Sequence, residues 1–309
     1  MKKVLKFSKL EITWEDALQE FMYWKQAQGL AEKTLDDYNC HVKRFFSRYP
    51  DTWQSDKMRK SALEYMANKI APATYNLRLI YLRAFFQWCL RYLLINPLHD
   101  FKRKKAPGRI VDIAEDNLRK LLTLPDLGTF AGLRDYALMI FTLDTGIRPG
   151  EAASLVMTDF DLMHLLVIVP RKSAKTRTER TLPILPVTAE AIRRLIKVRP
   201  AEWQKEIPVF CSSEGRAMSR YIWKDRMALY SHKLGVKIRP YDLRHAFAII
   251  YLRNGGHAFG LQKTLGHTDI QMTRRYVNMT GQDLRESHIK ASPLNTLIDN
   301  KSRRIRKLK

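Results

Sequence analysis

The sequence predicts a mainly α-helical protein with a small antiparallel sheet, built as an N-terminal helical domain followed by an α+β domain. Three observations carry this. Apolar residues recur at helical spacing through the first third of the chain. A basic segment around Pro107-Gly108 then breaks the pattern. Beyond it, two short β-branched runs flank a stretch rich in Lys, Arg and Thr, and helical patterns resume on either side.

The elements follow in order. Thr13 precedes Trp14 with Asp16 three residues on, a cap-like start. Leu18, Phe21, Met22 and Trp24 continue at helical spacing until Gly29. Thr34 with Asp37 opens a second helix, with Leu35, Tyr38, Val42, Phe45, Phe46 and Tyr49 as its apolar stripe and Pro50 as its end. A shorter helix is predicted over 61–69 and a long one over 74–92, ending before Asn96-Pro97. Residues 1–97 form the first domain. Residues 98–112 read as a linker carrying Lys102, Arg103, Lys104 and Lys105. Such a run lies against phosphate or is a solvated hinge, and both readings stand at this point. The second domain covers 113–290. Strands are predicted at 165–169 and 180–184, joined by an exposed basic loop. Helices follow at 188–198, 219–234 and 241–254, with two short ones near Leu261 and Thr273. Residues 291–309 read as a basic tail.

Composition narrows the function classes. The 309 residues carry 55 Lys+Arg and 31 Asp+Glu, a formal charge of 55 − 31 = +24. That excess asks for an anionic partner, with nucleic acid ahead of a membrane surface. With 45% hydrophobic residues, real cores are available and a wholly disordered basic chain is excluded. Cys40, Cys89 and Cys211 form neither a CxxC pair nor a disulfide framework, which predicts a reducing, cytoplasmic setting and no zinc site. No segment reads as a membrane span or a secretion signal.

Four segments hold the residues able to do chemistry. In Thr145-Gly146-Ile147-Arg148-Pro149-Gly150-Glu151 one helix ends and another begins, so Arg148 is presented at a junction with Glu151 one turn away. The basic loop 171–180 offers Lys172 and Lys175 as side chains able to reach a phosphate. Pro240-Tyr241-Asp242-Leu243-Arg244-His245 puts Tyr241 and Arg244 on one face of a helix's first turn, a ready anion site. Leu265-Gly266-His267, with Thr273 and Tyr276 beyond, reads as a helix–turn–helix. Taken singly, each has a plain structural explanation: an Arg–Glu pair, a solvated loop, a core histidine or a core aromatic.

In this order and in one basic chain, these segments resemble the tyrosine recombinase (phage integrase) family over roughly residues 11–290. The resemblance implies a helical, SAM-like core-binding domain and a catalytic domain that close around DNA. It implies that Arg148 and Arg244 bind the scissile phosphate. Lys175 is then the hairpin lysine, preferred over Lys172 because it precedes Pro183 by eight residues. His267 donates to a non-bridging oxygen, Tyr276 is the nucleophile and Glu151 supports the site. His245 matches a frequent family histidine and reads as structural. Tyr241 departs from the family, which usually has histidine there. A phenol donates a hydrogen bond but, with a reference pKa of about 10, is a poor proton acceptor near pH 7.

The chemistry suits the residue types. Two permanently charged, planar forks match a phosphodiester and the further charge of its transition state. A phenol attacks phosphorus, and a lysine protonates the leaving 5′ oxygen. The product is a 3′-phosphotyrosine, which a second 5′-hydroxyl reverses without ATP, metal or cofactor. The resemblance further implies double-stranded DNA sites as partner, a homotetramer on two duplexes and a possible accessory directionality factor. Tyr75, Arg78, Arg83 and Lys102, Arg103, Lys104 and Lys105 are the expected DNA contacts of the first domain and linker. Integration or excision of a mobile element or prophage is the leading expectation. Resolution of replicon dimers and a catalytically silent DNA-binding protein are the alternatives.

Overall fold

The structure is a computed structural model that describes residues 12–93, 95–106, 111–174, 178–277, 285, 288–290 and 292–297. It is mostly helical with one three-stranded antiparallel sheet, and it divides into two units, 1–107 and 108–309.

The first unit holds α1 (Trp14–Ala27), α2 (Glu32–Arg48), α3 (Met58–Ala67) and α4 (Pro72–Trp88). The Thr13 hydroxyl accepts from the Asp16 N–H at 3.1 Å, the cap the sequence announces. The second helix begins earlier than its sequence signal. Ala31 precedes it, and Thr34 and Asp37 lie inside the helix, where Asp37 accepts from Lys33 at 2.8 Å. Pro72 sits in the first turn of α4, where its missing N–H has no partner to lose. The core is aromatic. Phe21, Phe45, Phe46, Phe85 and Phe86 are fully buried. Phe21 meets Phe85 edge-on at 5.5 Å, and Phe45 meets Phe86 likewise at 5.6 Å.

The segment expected as linker starts as part of this unit. Leu98 is fully buried. Arg83 donates to the carbonyls of Leu98 and Phe101. Asn76 exchanges two hydrogen bonds of 2.8 Å with the backbone of Lys104.

The second unit is built around α6 (Phe130–Thr145), which packs against α8 (Pro186–Lys197) and α10 (Pro240–Arg253). It also holds α5 (Glu115–Leu122), α7 (Pro149–Ala152), α9 (Arg220–Leu234), α11 (Ala258–Leu265) and α12 (Ile270–Val277). The sheet order is β1 (Phe160–Asp161), β2 (Leu166–Val169), β3 (Arg180–Pro183), with Val167 opposite Leu182. The sequence reading missed β1, a strand of two residues. Leu165 was expected in a strand but has φ +56°, because it helps turn the chain from β1 into β2. Asp144 ties α6 to α8, accepting from the Leu185 N–H at 2.7 Å and the Thr188 hydroxyl at 2.6 Å. Buried Asp135 ties α6 to α9 through Arg226 and Tyr230. Among the described residues, no helix is long and apolar enough to cross a membrane.

Gly146 caps α6 with φ +62°, and a Cβ there would lie 2.3 Å from Phe247 and 2.7 Å from Leu265. Gly235 caps α9 with φ +72° and has open space around it. Gly235→Ala is expected to cost about 1–2 kcal/mol, the penalty of the left-handed conformation alone. Gly146→Ala is expected to cost about 3 kcal/mol or more, since overpacking adds to it. Urea unfolding of both variants checks the difference.

Candidate active site

The site forms where the end of α6, the start of α10 and the end of α11 meet. The left-handed turn at Gly146 stops α6 and delivers Arg148 to the head of α7. Glu151, on α7, is almost fully buried and accepts from Arg148 Nη1 at 2.8 Å and Arg180 Nη2 at 2.6 Å. Arg244, one turn into α10, is fully buried. Its Nη1 donates to the Gly146 carbonyl at 2.6 Å.

The C-terminal end of α11 organises all three arginines. Arg180 Nε donates to the carbonyl of Thr264 at 3.1 Å, Arg244 Nη2 to that of Leu265 at 2.9 Å, and Arg148 Nη2 to that of Gly266 at 3.2 Å. These are the carbonyls a helix end leaves without intrahelical partners, at the negative end of its dipole. Gly266 has φ +62°, and a Cβ on it would crowd the Arg180 side chain at 3.3 Å.

His267 follows that turn. Arg244 Nη2 lies 3.1 Å from its Nε2, and its Nδ1 lies 2.9 Å from the Thr273 hydroxyl. A guanidinium only donates, so Nε2 accepts and the ring proton sits on Nδ1, facing Thr273. Burial, then the charges of Arg244 and Arg148, push the imidazole down to about 4. Arg244 is itself lowered to about 10 by burial and by Arg148, which leaves it charged at neutral pH. Burial opposes the charge on Glu151, but Arg180 and Arg148 outweigh it and hold the carboxyl below its usual range.

Tyr276, on α12, is 4% exposed. Its hydroxyl is hydrogen-bonded to His245 Nδ1 at 2.8 Å. Burial raises its pKa, with Arg244 opposing. Tyr241 is exposed, its ring 5.1 Å from that of His245. Beside the site lies a cleft of about 930 Å³, lined by Arg148, Tyr241 and the exposed cations Arg220, Lys224, Lys237 and Arg239.

The structure thus brings together Arg148, Glu151, Arg244 and His267, with Tyr241 and Tyr276 joined through His245. Lys175 lies outside the described residues, and Lys172 is exposed. The sequence reading missed Arg180, though a signal existed. Alternation places it on the same face of β3 as fully buried Leu182, an unusual place for a charge. It also passed over the four cations of the cleft, which lie in ordinary helix-face and loop positions.

In the first unit the expected DNA contacts separate into two groups. Tyr75 is buried, with Lys104 over its ring at 4.1 Å. Arg78 donates to the Tyr65 carbonyl at 3.2 Å and stacks on the Tyr65 ring. Arg83 holds Leu98 and Phe101. Arg78 and Arg83 thus use guanidinium N–H groups on carbonyls within the unit, while Tyr75 packs its ring under the Lys104 ammonium. Lys102, Arg103, Lys104 and Lys105 are exposed. Among the described residues, no three His, Cys, Asp or Glu side chains gather as a metal site.

Comparison with known proteins agrees with this geometry. The Phage integrase family matches residues 112–282. Tyrosine recombinase XerC of Salmonella typhi is 30% identical over 290 residues, covering 90% of this chain and 95% of the relative. Tyrosine recombinase XerD of Lacticaseibacillus casei is 28% identical over 296 residues, covering 89% and 98%. The Tn1549 transposon integrase, solved in complex with circular intermediate DNA, superposes with a TM-score of 0.68 at 20% identity, covering 89% of this chain and 99% of that one. This last likeness is one of fold.

The His267 environment makes stability pH-dependent. An unfolded imidazole takes up a proton at about pH 6.5, whereas folded His267 does so only near pH 4. Between those values the unfolded chain binds more protons, so stability falls as pH drops through the window. The melting temperature is expected to decline from pH 7 to pH 4, and less steeply in His267→Gln, as followed by calorimetry.

Proposed function

The chain belongs to the phage integrase family of tyrosine recombinases, which break and rejoin DNA, and from that premise we propose a site-specific recombinase that works through a 3′-phosphotyrosine on Tyr276. The observation that carries this reading is the fastening of Arg148 and Arg244 to adjacent carbonyls, Gly266 and Leu265, beside His267. Fixed, permanently charged forks are what a phosphodiester's non-bridging oxygens require. Arg244 Nε is buried with no hydrogen-bond acceptor, which leaves a donor for phosphate. A phosphate next to His267 favours the charged imidazole, opposing the effect of the arginines; Nε2 then gives up its hydrogen bond from Arg244 Nη2 and gains a proton to donate. Lys175 is proposed as the acid that protonates the leaving 5′ oxygen, and Glu151 as the support of Arg148.

The duplex is proposed to lie along the cleft of Arg220, Lys224, Lys237 and Arg239, with Lys102, Arg103, Lys104 and Lys105 adding phosphate contacts from the first unit. Four protomers then act on two duplexes in the cytoplasm, at the nucleoid, with an accessory protein setting direction where one is used. Integration and excision of a mobile element is the proposed role, supported by the departure at Tyr241 from the family's usual histidine. Resolution of replicon dimers is the second reading. Recombination of DNA flanking the gene, compared with directly repeated sites on one circular replicon, separates the two.

The chemistry is tested with nicked duplexes in EDTA. Wild type is expected to form an SDS-resistant protein–DNA adduct, and Tyr276→Phe none. An adduct that persists in Tyr276→Phe overturns the nucleophile. Tight binding without any adduct favours a silent binder. Arg244→Lys, which keeps a charge but loses the fork, is expected to slow adduct formation by about 10³-fold in single-turnover assays.

A further inference from the structure

The side chain that touches the Tyr276 hydroxyl is not one the reaction scheme has used. His245 Nδ1 lies 2.8 Å from that oxygen. His245 is four residues beyond Tyr241 on α10, hence one turn along the same face, and the two rings meet edge-on at 5.1 Å. Tyr241, the residue at the position usually held by histidine, carries a phenol and so has no imidazole nitrogen to accept a proton.

We propose that His245 accepts the phenol proton of Tyr276 during attack, so that in this chain the general base stands one helical turn beyond the position held by Tyr241. The inference rests on the recombinase reading above. This role uses the tautomer with the ring proton on Nε2, in which Nδ1 accepts from the Tyr276 hydroxyl across the 2.8 Å contact. As the Tyr276 Oη–P bond forms, the phenol proton moves to Nδ1. The P–O5′ bond breaks, and the 5′ oxygen takes its proton from the Lys175 ammonium. The reverse attack by a 5′-hydroxyl returns both protons. Two further observations support a base at this place. Burial makes the Tyr276 phenol harder to ionise than in water. Tyr276 as a residue is only 4% exposed, which restricts the access of bulk water to it. His245 is half-buried, which leaves its ring partly accessible from solvent.

The test is single-turnover adduct formation on a nicked duplex by the full chain, with DNA binding and melting temperature measured alongside. His245→Ala is expected to bind DNA as wild type does and to form adduct about 10²-fold more slowly. Imidazole in the buffer is expected to restore at least about tenfold of that loss, an effect a purely structural role would not produce. Wild-type rates in His245→Ala, or a slow rate that imidazole leaves unchanged, overturn the proposal. Should His245→Ala fail to hold its melting temperature, His245→Gln replaces it. That variant is expected to remain about 10²-fold slow, and a wild-type rate from it overturns proton transfer. Failure of the wild type itself to form any adduct sinks the recombinase reading, a result distinct from the others.

Discussion

The site depends on solving one electrostatic problem: three guanidinium groups converge beside a single carboxylate. Arg148, Arg180 and Arg244 would repel one another if left to water-poor surroundings. Glu151 neutralises one charge's worth, holding Arg148 and Arg180 at once. The remainder is met by dipoles, the carbonyls of Gly146, Thr264, Leu265 and Gly266. The arrangement therefore keeps a net positive potential in a place already desolvated. Under the proposed function, an arriving phosphate would complete the charge balance, and little reorganisation would be needed when charge develops in the transition state. Burial, reinforced by the same field, keeps His267 neutral at rest.

Much of this was legible in the sequence, and the reasons differ by residue. Thr13, Gly29, Gly146 and Pro72 announce helix ends because their own backbone or side-chain chemistry sets the local conformation. Arg148, Arg244, His267 and Tyr276 were legible together, since four common residue types in a fixed order are far more specific than any one of them. Arg180 was hidden in a basic loop, because charge invites a solvated reading and only the alternation of β3 shows that it turns inward. Leu165 gave no sign of a left-handed turn, which leucine rarely makes. His245 was read as structural. Its partner is 31 residues away, and only the packing of α12 on α10 brings them together.

The first unit shows a division of labour that charge counting cannot reveal. Arg78 and Arg83 sit on a helix that also supplies much of the aromatic core, and their guanidiniums satisfy backbone carbonyls. The adjacent basic run is instead held by its backbone, through Asn76 and Lys104, while its side chains stay exposed. A chain can thus carry +24 and still commit many of its cations to architecture.

The three arginines grip main-chain carbonyls at the end of α11, and this has a consequence for how the site tolerates change. A carbonyl is supplied by every residue type, so the identities of Thr264 and Leu265 matter less to the grip than their places along the helix. Inserting or deleting one residue in α11 would rotate each following carbonyl by about 100° and move it about 1.5 Å along the axis. All three guanidiniums would lose register in the same stroke. Divergence among such sites should accordingly proceed by exchanging side chains while the length of this helix stays fixed.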